Sequence, residues 1–169
     1  AKDWQSLSLE SLEPKGPSIL ARRAFAGHQT VIIAEAYDGR YQAKAIGDFF
    51  AAGAKTYQPR FRLATQKEPI AAGGAADMIV FLGHNGFMDG VTIPAAPLRT
   101  ASERSGIFPS TATGKRQDAA VLACKSEADF AVPLRLRHCR PLVTTRGFMA
   151  PEAYTIEAII RTWAKGETT

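Results

Sequence analysis

The sequence has little cysteine and no long apolar run, and these two shortages exclude several protein classes. Its 169 residues include only two cysteines, Cys124 and Cys139. Two cysteines are too few for a small fold that is stabilised by several disulfide bonds, so we expect both thiols to be free. The uncharged apolar runs stay well below the roughly 18 residues that a membrane span needs, and no signal-peptide pattern opens the sequence. We therefore expect a soluble chain with no membrane partner, and its compartment stays open.

Motifs for nucleotides and metals are also missing. Neither Gly-x-Gly-x-x-Gly nor a Walker loop is present. The available zinc ligands would be His84, Cys124, His138 and Cys139, but they lack the close Cys-x-x-Cys or His-x₃-His spacing of zinc sites. The net charge of +5 is scattered, and its densest cluster, 135–140, has no aromatic residue between the cations. We predict no metal, no cofactor and no nucleic-acid partner.

What the sequence does have is the composition of a globular domain. Hydrophobic residues make up 46% of the chain and charged residues 22%, which are ordinary values for a packed core. The length fits a single domain spanning 1–169, with residues 1–27 as an N-terminal extension that packs on the body. Apolar runs alternate with amphipathic segments. This order predicts an α/β fold, a three-layer α/β/α sandwich with a mostly parallel sheet.

Local patterns place the main elements of that sandwich. The β-branched run 30–36 predicts a buried strand, and helical spacing of apolar residues predicts a helix over 41–52. The segment 56–63 contains a proline and is at best an edge strand. A further core strand is predicted at 141–145.

Two apolar runs, 77–86 and 118–126, each end in a reactive side chain. Each run reads as a strand buried on both faces of a parallel sheet. Sites in such sheets form at the carboxyl ends of the strands, so His84 and Cys124 would project into one crevice if the strands are neighbours. A histidine beside a cysteine supplies a thiolate nucleophile and its general acid/base. The long loop 87–117 lies between them in sequence and would line or cover the crevice.

The surroundings of both residues favour this chemistry. A helix that begins after Cys124, together with the Lys125 cation, would lower the pKa of the thiol. The glycine-rich turn around His84 exposes the imidazole. Main-chain N–H groups of Asn85 or Gly86, with that of Cys124, would form an oxyanion hole.

Supporting roles fall to residues at other strand ends. Three carboxylates are candidates to orient the imidazole: Glu35, Asp38 and Asp89. Each has the plain alternative of a turn former or a surface carboxylate. Ser126 and Asp129 resemble a helix N-cap with an acidic third position. Thr144 and Thr145, at the end of another strand, would shape a substrate pocket or serve as ordinary strand residues.

The motif order resembles that of the caspase-like cysteine peptidases, which include caspases, legumains, metacaspases, gingipains and separases. The matching segments are 79–84, an apolar strand that ends in His, and 120–126, which contains Ala-Cys-x-Ser in the legumain style. The histidine precedes the cysteine by a separation near the roughly 50 residues quoted for caspases. The resemblance implies a mostly parallel sheet flanked by helices. It also implies His84 as acid/base and Cys124 as the nucleophile that forms a thioester with a peptide or protein substrate.

The sequence departs from that family at two positions. Asn85 separates His84 from Gly86, whereas the family commonly has Gly directly after the His, and Leu122 stands where caspases have Gln. Specificity for Asp or for Lys/Arg is therefore not carried over. Two hypotheses follow: a cysteine peptidase that uses a His–Cys dyad, or an inactive member of the same fold that binds a peptide or protein. The second predicts an unreactive Cys124.

Overall fold

The computed structural model describes residues 4–92, 116–150 and 153–166, and its architecture is mixed α/β. In chain order the strands and helices are β1 (Gln5–Leu7), β2 (Leu9–Ser11), β3 (Ile19–Gly27), β4 (Thr30–Tyr37), α1 (Gln42–Gly53), β5 (Arg60–Leu63), β6 (Ile70–Ala71), β7 (Met78–Leu82), β8 (Asp118–Leu122), α2 (Ser126–Leu136), β9 (Arg140–Val143) and α3 (Ala153–Ala164). The α/β class is confirmed. In place of one mostly parallel sheet, these strands form three small sheets, two antiparallel and one parallel. No helix in the described ranges is long and apolar enough to cross a bilayer.

The chain divides into two compact units. Unit 1 comprises 1–41, 59–72 and 150–169, and unit 2 comprises 42–58 and 73–149. Unit 1 holds both antiparallel sheets and α3, whereas unit 2 holds the parallel sheet, α1 and α2. The segment predicted as an N-terminal extension carries β1, β2 and β3, so it supplies strands to the sheets of unit 1.

The first sheet of unit 1 is built around the hairpin of β3 and β4, and it corrects the prediction for 30–36. Gly27 pairs with Thr30, which leaves a two-residue turn of His28 and Gln29. Both turn residues have left-handed φ angles, 49° and 58°, as a type I′ turn requires. The local hairpin therefore pairs β4 antiparallel with β3, and no residue of β4 is buried.

The second sheet of unit 1 has the order β2-β5-β6. The prediction of an edge strand for 56–63 is wrong, because β5 is the central strand of this sheet. Pro59 lies just before β5, so its missing N–H does not interrupt the ladder. Phe61 and Leu63 of β5 are both buried.

The parallel sheet of unit 2 has the order β7-β8-β9. All five residues of β8 are buried, which confirms the prediction of a strand covered on both faces. The same prediction is wrong for β7, an edge strand in which only Ile79 is buried. Burial therefore distinguishes the strand that leads to Cys124 from the strand that leads to His84.

One aromatic cluster fixes both helices of unit 2 on the sheet. Phe130 of α2 is fully buried and packs against four rings: Phe49, Phe50, Phe81 and Phe87. The cluster continues into the sheet at Ile79, Ala119 and Val121, residues of one parity that share one face. Within the described part of unit 2, both helices thus pack on the same face of the sheet, and the three-layer arrangement predicted from sequence is not what these residues form.

The helices of unit 2 lie where the sequence predicted them, but the start of α2 differs from the prediction. The helix predicted over 41–52 is confirmed as α1. Ser126 is the first residue of α2 rather than its cap, because Lys125 takes the N-cap position with a left-handed φ of 50°. Pro133 lies inside α2, which continues to Leu136. The predicted loop 87–117 is described only at its two ends, since 93–115 lie outside the described residues.

Candidate functional site

The candidate site lies where β7 and β8 end. The two strands pair in parallel, and Leu82 partners Leu122 in the last rung of the ladder. One residue further on, the Gly83 N–H donates to the Leu122 carbonyl at 3.2 Å. The condition set by the sequence, that these two strands are neighbours, is therefore met. His84 and Cys124 therefore each follow the last rung by two residues, at the same edge of the same sheet.

His84 is paired with an acid that the sequence named among three candidates. Its Nε2 lies 2.5 Å from Oδ2 of Asp89, and about half of each side chain is exposed. Asp89 comes close because a 3-10 turn, Gly86–Asp89, carries the chain back towards the imidazole. A carboxylate on one ring nitrogen selects the tautomer in which that nitrogen bears the proton. The second nitrogen, Nδ1, then has a free lone pair.

The other two candidate carboxylates lie in unit 1 and have basic partners there. Glu35 accepts from Nε of Arg22 at 2.7 Å. Asp38 bonds to Arg40, with Nη2 to Oδ2 at 2.7 Å, and these hydrogen bonds lower the pKa of Asp38 to about 2. Asp38 also follows β4 as a turn residue, as its alternative interpretation predicted. The imidazole of His84 has Asp89, in unit 2, as its carboxylate partner.

The thiol of Cys124 is half-buried and contacts the main chain of one distant residue. The Met149 N–H donates to Sγ at 3.3 Å, and the Met149 carbonyl accepts from the thiol at 3.4 Å. Among the described residues, no hydrogen bond joins Cys124 to His84. The two side chains thus share an edge of the sheet and have separate partners.

The amides that follow Cys124 have acceptors other than its sulfur. The Lys125 N–H donates to Gly147 O at 2.9 Å and the Glu127 N–H to Thr145 O at 3.0 Å. The N–H of Ser126 faces Oγ1 of Thr145 at 3.3 Å. The first turn of α2 therefore directs its donors at the segment 145–147 and not at the sulfur. The ammonium of Lys125 likewise lies over the Phe148 ring, 4.6 Å from its centroid.

Ser126 and Thr145 form a cross-link within this edge. The Ser126 hydroxyl donates to Val121 O at 3.0 Å and accepts from the Thr145 N–H at 2.9 Å. The Thr145 hydroxyl donates to the Ala123 carbonyl. Both hydroxyls therefore serve the backbone, which explains their position without a substrate contact. Thr144 is half-buried just after β9.

Asn85 and Gly86 are the residues whose roles differ most from the sequence interpretation, which used only their main-chain N–H groups. The Asn85 side chain is fully buried and donates to Cys124 O at 2.7 Å. Gly86 lies so close to α1 that a Cβ there would come within 3.0 Å of Gln42 Cδ and Ile46 Cδ1. The signal available in the sequence was the departure at Asn85 from the family pattern.

Oxyanion stabilisation needs a free donor that a substrate can reach, and the N–H of Asn85, a residue that is 0% exposed, is not within reach. In the described part of the chain, no acceptor lies on the main-chain N–H of Cys124 or on that of Asn85. Backbone N–H groups beside a nucleophile stabilise the negative charge that develops on a carbonyl oxygen during attack. Of these two amides, that of Cys124 belongs to a half-buried residue and is the candidate donor.

Cys139 lies apart from this edge, in the core of unit 2. It is fully buried, and its thiol contacts Gln117 Oε1 at 3.5 Å and Gly53 O at 3.6 Å. Burial raises the pKa of the thiol. Both cysteines are free, and no group of three or more metal-ligating side chains occurs in the described ranges.

Comparison with known proteins identifies no relative. No protein-family model matches the chain, and neither the curated proteins nor the solved structures contain a match.

Proposed function

We propose that this chain is a cysteine hydrolase that cleaves peptide bonds through a thioester at Cys124. The observation that carries the proposal is the shared edge: His84 and Cys124 each follow the last rung of the β7–β8 ladder by two residues. Ligand sites of α/β proteins form at this edge. A peptide or protein is the proposed substrate, and the chemistry needs no cofactor.

The proposed mechanism assigns a step to each group. His84, held by Asp89 through Nε2, takes the thiol proton on Nδ1, and the sulfur attacks the substrate carbonyl carbon. The N–H group of Cys124 receives the oxyanion. The peptide C–N bond then breaks, His84 protonates the leaving amine, and the acyl group remains on sulfur. Water, deprotonated by His84, hydrolyses the thioester and restores the thiol.

We also propose that the parallel part of the chain is a divergent version of the caspase-like sheet. In support, the strand that leads to the histidine lies beside the strand that leads to the cysteine, and helices α1 and α2 pack on that sheet.

The test is the rate at which iodoacetamide alkylates Cys124 at pH 7, followed by peptide mass spectrometry. We expect rapid labelling in the wild type and labelling slower by about tenfold or more in His84→Ala, because general-base assistance contributes factors of this size or larger. His138→Asn is the matched control, since Asn tolerates the left-handed backbone at this position, and it should label like the wild type. A peptide-library screen with Cys124→Ala as the blank then tests hydrolysis.

A second function is favoured by one observation, the contact of the thiol with both main-chain polar groups of Met149. A thiol that is hydrogen-bonded to the main chain is less available as a nucleophile, which favours an inactive domain that binds a peptide or protein partner at the same edge. Slow labelling of Cys124, equal in wild type and His84→Ala, would support this function and contradict the hydrolase.

A further inference from the structure

The Asn85 side chain connects the turn that carries His84 with the turn that carries Cys124. Its Nδ2 donates to Cys124 O at 2.7 Å and to Oδ2 of Asp129 at 2.7 Å. Its Oδ1 accepts from the Phe87 N–H at 3.2 Å. Asn85 is 0% exposed, so water does not compete for these bonds. Residues 39 and 44 positions away in sequence are thereby tied to the residue directly after His84.

The chemistry of the site admits few other side chains. A carboxamide has two N–H donors and one carbonyl acceptor, and here both donors meet acceptors while the acceptor meets a donor. A flipped amide would place Oδ1 against the Cys124 carbonyl and the Asp129 carboxylate. Asp at position 85 would bring two carboxylates together, and a hydrophobic residue would leave the Cys124 carbonyl without this donor. The site is therefore specific for an amide in one orientation.

Further hydrogen bonds and the helix α2 hold the two segments that the Asn85 side chain connects. On the histidine side, Nε2 of Gln42 donates to the His84 carbonyl at 3.1 Å, and Asn85 itself caps the 3-10 turn that ends in Asp89. On the cysteine side, Asp129 lies in the first turn of α2. A shift of Asn85 would thus move the His84–Asp89 pair relative to the thiol. Displacements of about 1 Å cost large factors in rate when reacting groups must meet.

We propose that Asn85 is a positioning residue that sets the place of His84 relative to Cys124, with Asp129 as its anchor. This role rests on the proposed hydrolase function and deepens it. Asn85 touches the main chain of the nucleophile through its side chain, and it acts on the reaction through His84.

A double-mutant cycle tests this role with alkylation of Cys124 by iodoacetamide as the readout. We expect Asn85→Ala to slow labelling by about tenfold when His84 is present, and to have no further effect in the His84→Ala background, because the two changes then remove the same assistance. A purely structural role would slow or speed labelling by the same factor in both backgrounds. That result, or wild-type labelling in Asn85→Ala, would overturn the inference.

Two variants of the anchor keep the test decisive if Asn85→Ala does not fold. Asp129→Asn retains an acceptor for Asn85 and should label within about twofold of the wild type. Asp129→Ala removes the anchor and should slow labelling by about threefold, again only when His84 is present. Equal labelling rates for Asp129→Asn and Asp129→Ala would contradict the inference. Suppose that wild-type labelling is fast and depends on His84, and that every Asn85 and Asp129 variant labels at the wild-type rate: the inference about Asn85 then fails and the hydrolase proposal stands. If His84→Ala labels at the wild-type rate, the hydrolase proposal fails and the inference fails with it.

Discussion

Leu82 and Leu122 partner each other in the last rung of the parallel ladder between β7 and β8. This pairing determines which residues lie at the candidate site, because the chain leaves both strands at the same edge. A slip of one residue in this register would move His84 relative to Cys124 and reverse the face that each strand residue occupies. The register is held by the core face of β8, where Ala119 and Val121 pack in the aromatic cluster.

The first prediction concerns access to the Cys124 thiol. Phe148 is 73% exposed and holds the Lys125 ammonium over its ring, next to Met149, which contacts the sulfur. An exposed cation–π contact contributes about 0.5–1 kcal/mol, so Phe148→Ala should accelerate alkylation of Cys124 by about two- to fivefold. Leu136→Ala, which removes an exposed apolar side chain at the last residue of α2, should have no effect. An unchanged rate in Phe148→Ala would show that the 145–149 segment does not limit access.

The second prediction concerns the pH dependence of stability. Burial raises the pKa of Cys139 above its ordinary value of 9.0. Below that pH both the folded and the unfolded chain keep the thiol proton, and stability does not depend on it. As the pH rises further, the unfolded chain releases the proton first, so the free energy of unfolding falls.

Urea denaturation between pH 7 and 10 measures this fall, with Cys139→Ala as the comparison that isolates the thiol. The wild type should lose more stability than the variant above pH 9. In the folded wild type, Cys139 should also resist iodoacetamide and become labelled only in denaturant. Parallel pH profiles for the two proteins would contradict the assignment.

The third prediction contrasts two glycines of unit 2. A Cβ at Gly86 would lie 2.9 Å from Val91 Cγ2 and 3.0 Å from Ile46 Cδ1, whereas a Cβ at Gly47 would meet nothing within 4 Å. Gly86→Ala should therefore destabilise the protein by about 1–3 kcal/mol through overpacking. Gly47→Ala, inside α1, should stabilise it by up to about 1 kcal/mol through helix propensity. Urea midpoints measure both effects, and opposite signs are the expected outcome.

The fourth prediction addresses the aromatic cluster. Phe130 is fully buried among other rings, so Phe130→Ala should lower the free energy of unfolding by about 3–5 kcal/mol. Val132 lies two residues away in the same helix and is 57% exposed, so Val132→Ala should change stability by no more than about 0.5 kcal/mol. If Phe130→Ala unfolds no more readily than Val132→Ala, the cluster is not the core of unit 2.

Much of the local structure of unit 2 was predictable from the sequence. Helical spacing in 41–52 identified α1, and the apolar run within 118–126 identified a strand covered on both faces. These features depend on periodicity and composition over a few residues, which the sequence displays directly. The same reasoning placed His84 and Cys124 at strand ends and included Asp89 among the partners of the imidazole.

Pairing between segments was not predictable in the same way. The β-branched run 30–36 has the composition of a parallel core strand, yet the His28–Gln29 turn pairs it antiparallel with its neighbour. The segment 56–63 reads as an edge strand and becomes central, because β2 and β6 cover both of its sides. Strand propensity reports how well residues fit a pleated surface, and it does not specify which strand lies alongside.

Composition and periodicity were enough to establish the α/β class, the position of α1, and the presence of a histidine and a cysteine after two apolar strands. The tertiary structure was needed to show that the described strands divide among three sheets and that α1 and α2 pack on one face of the parallel sheet. It also decided that Met149 contacts the thiol and that the Asn85 amide joins the two turns. The difference is one of sequence separation. Periodicity is a property of a few neighbouring residues, whereas these hydrogen bonds join residues 25 and 39 positions apart, and their partners are set by how the whole core packs.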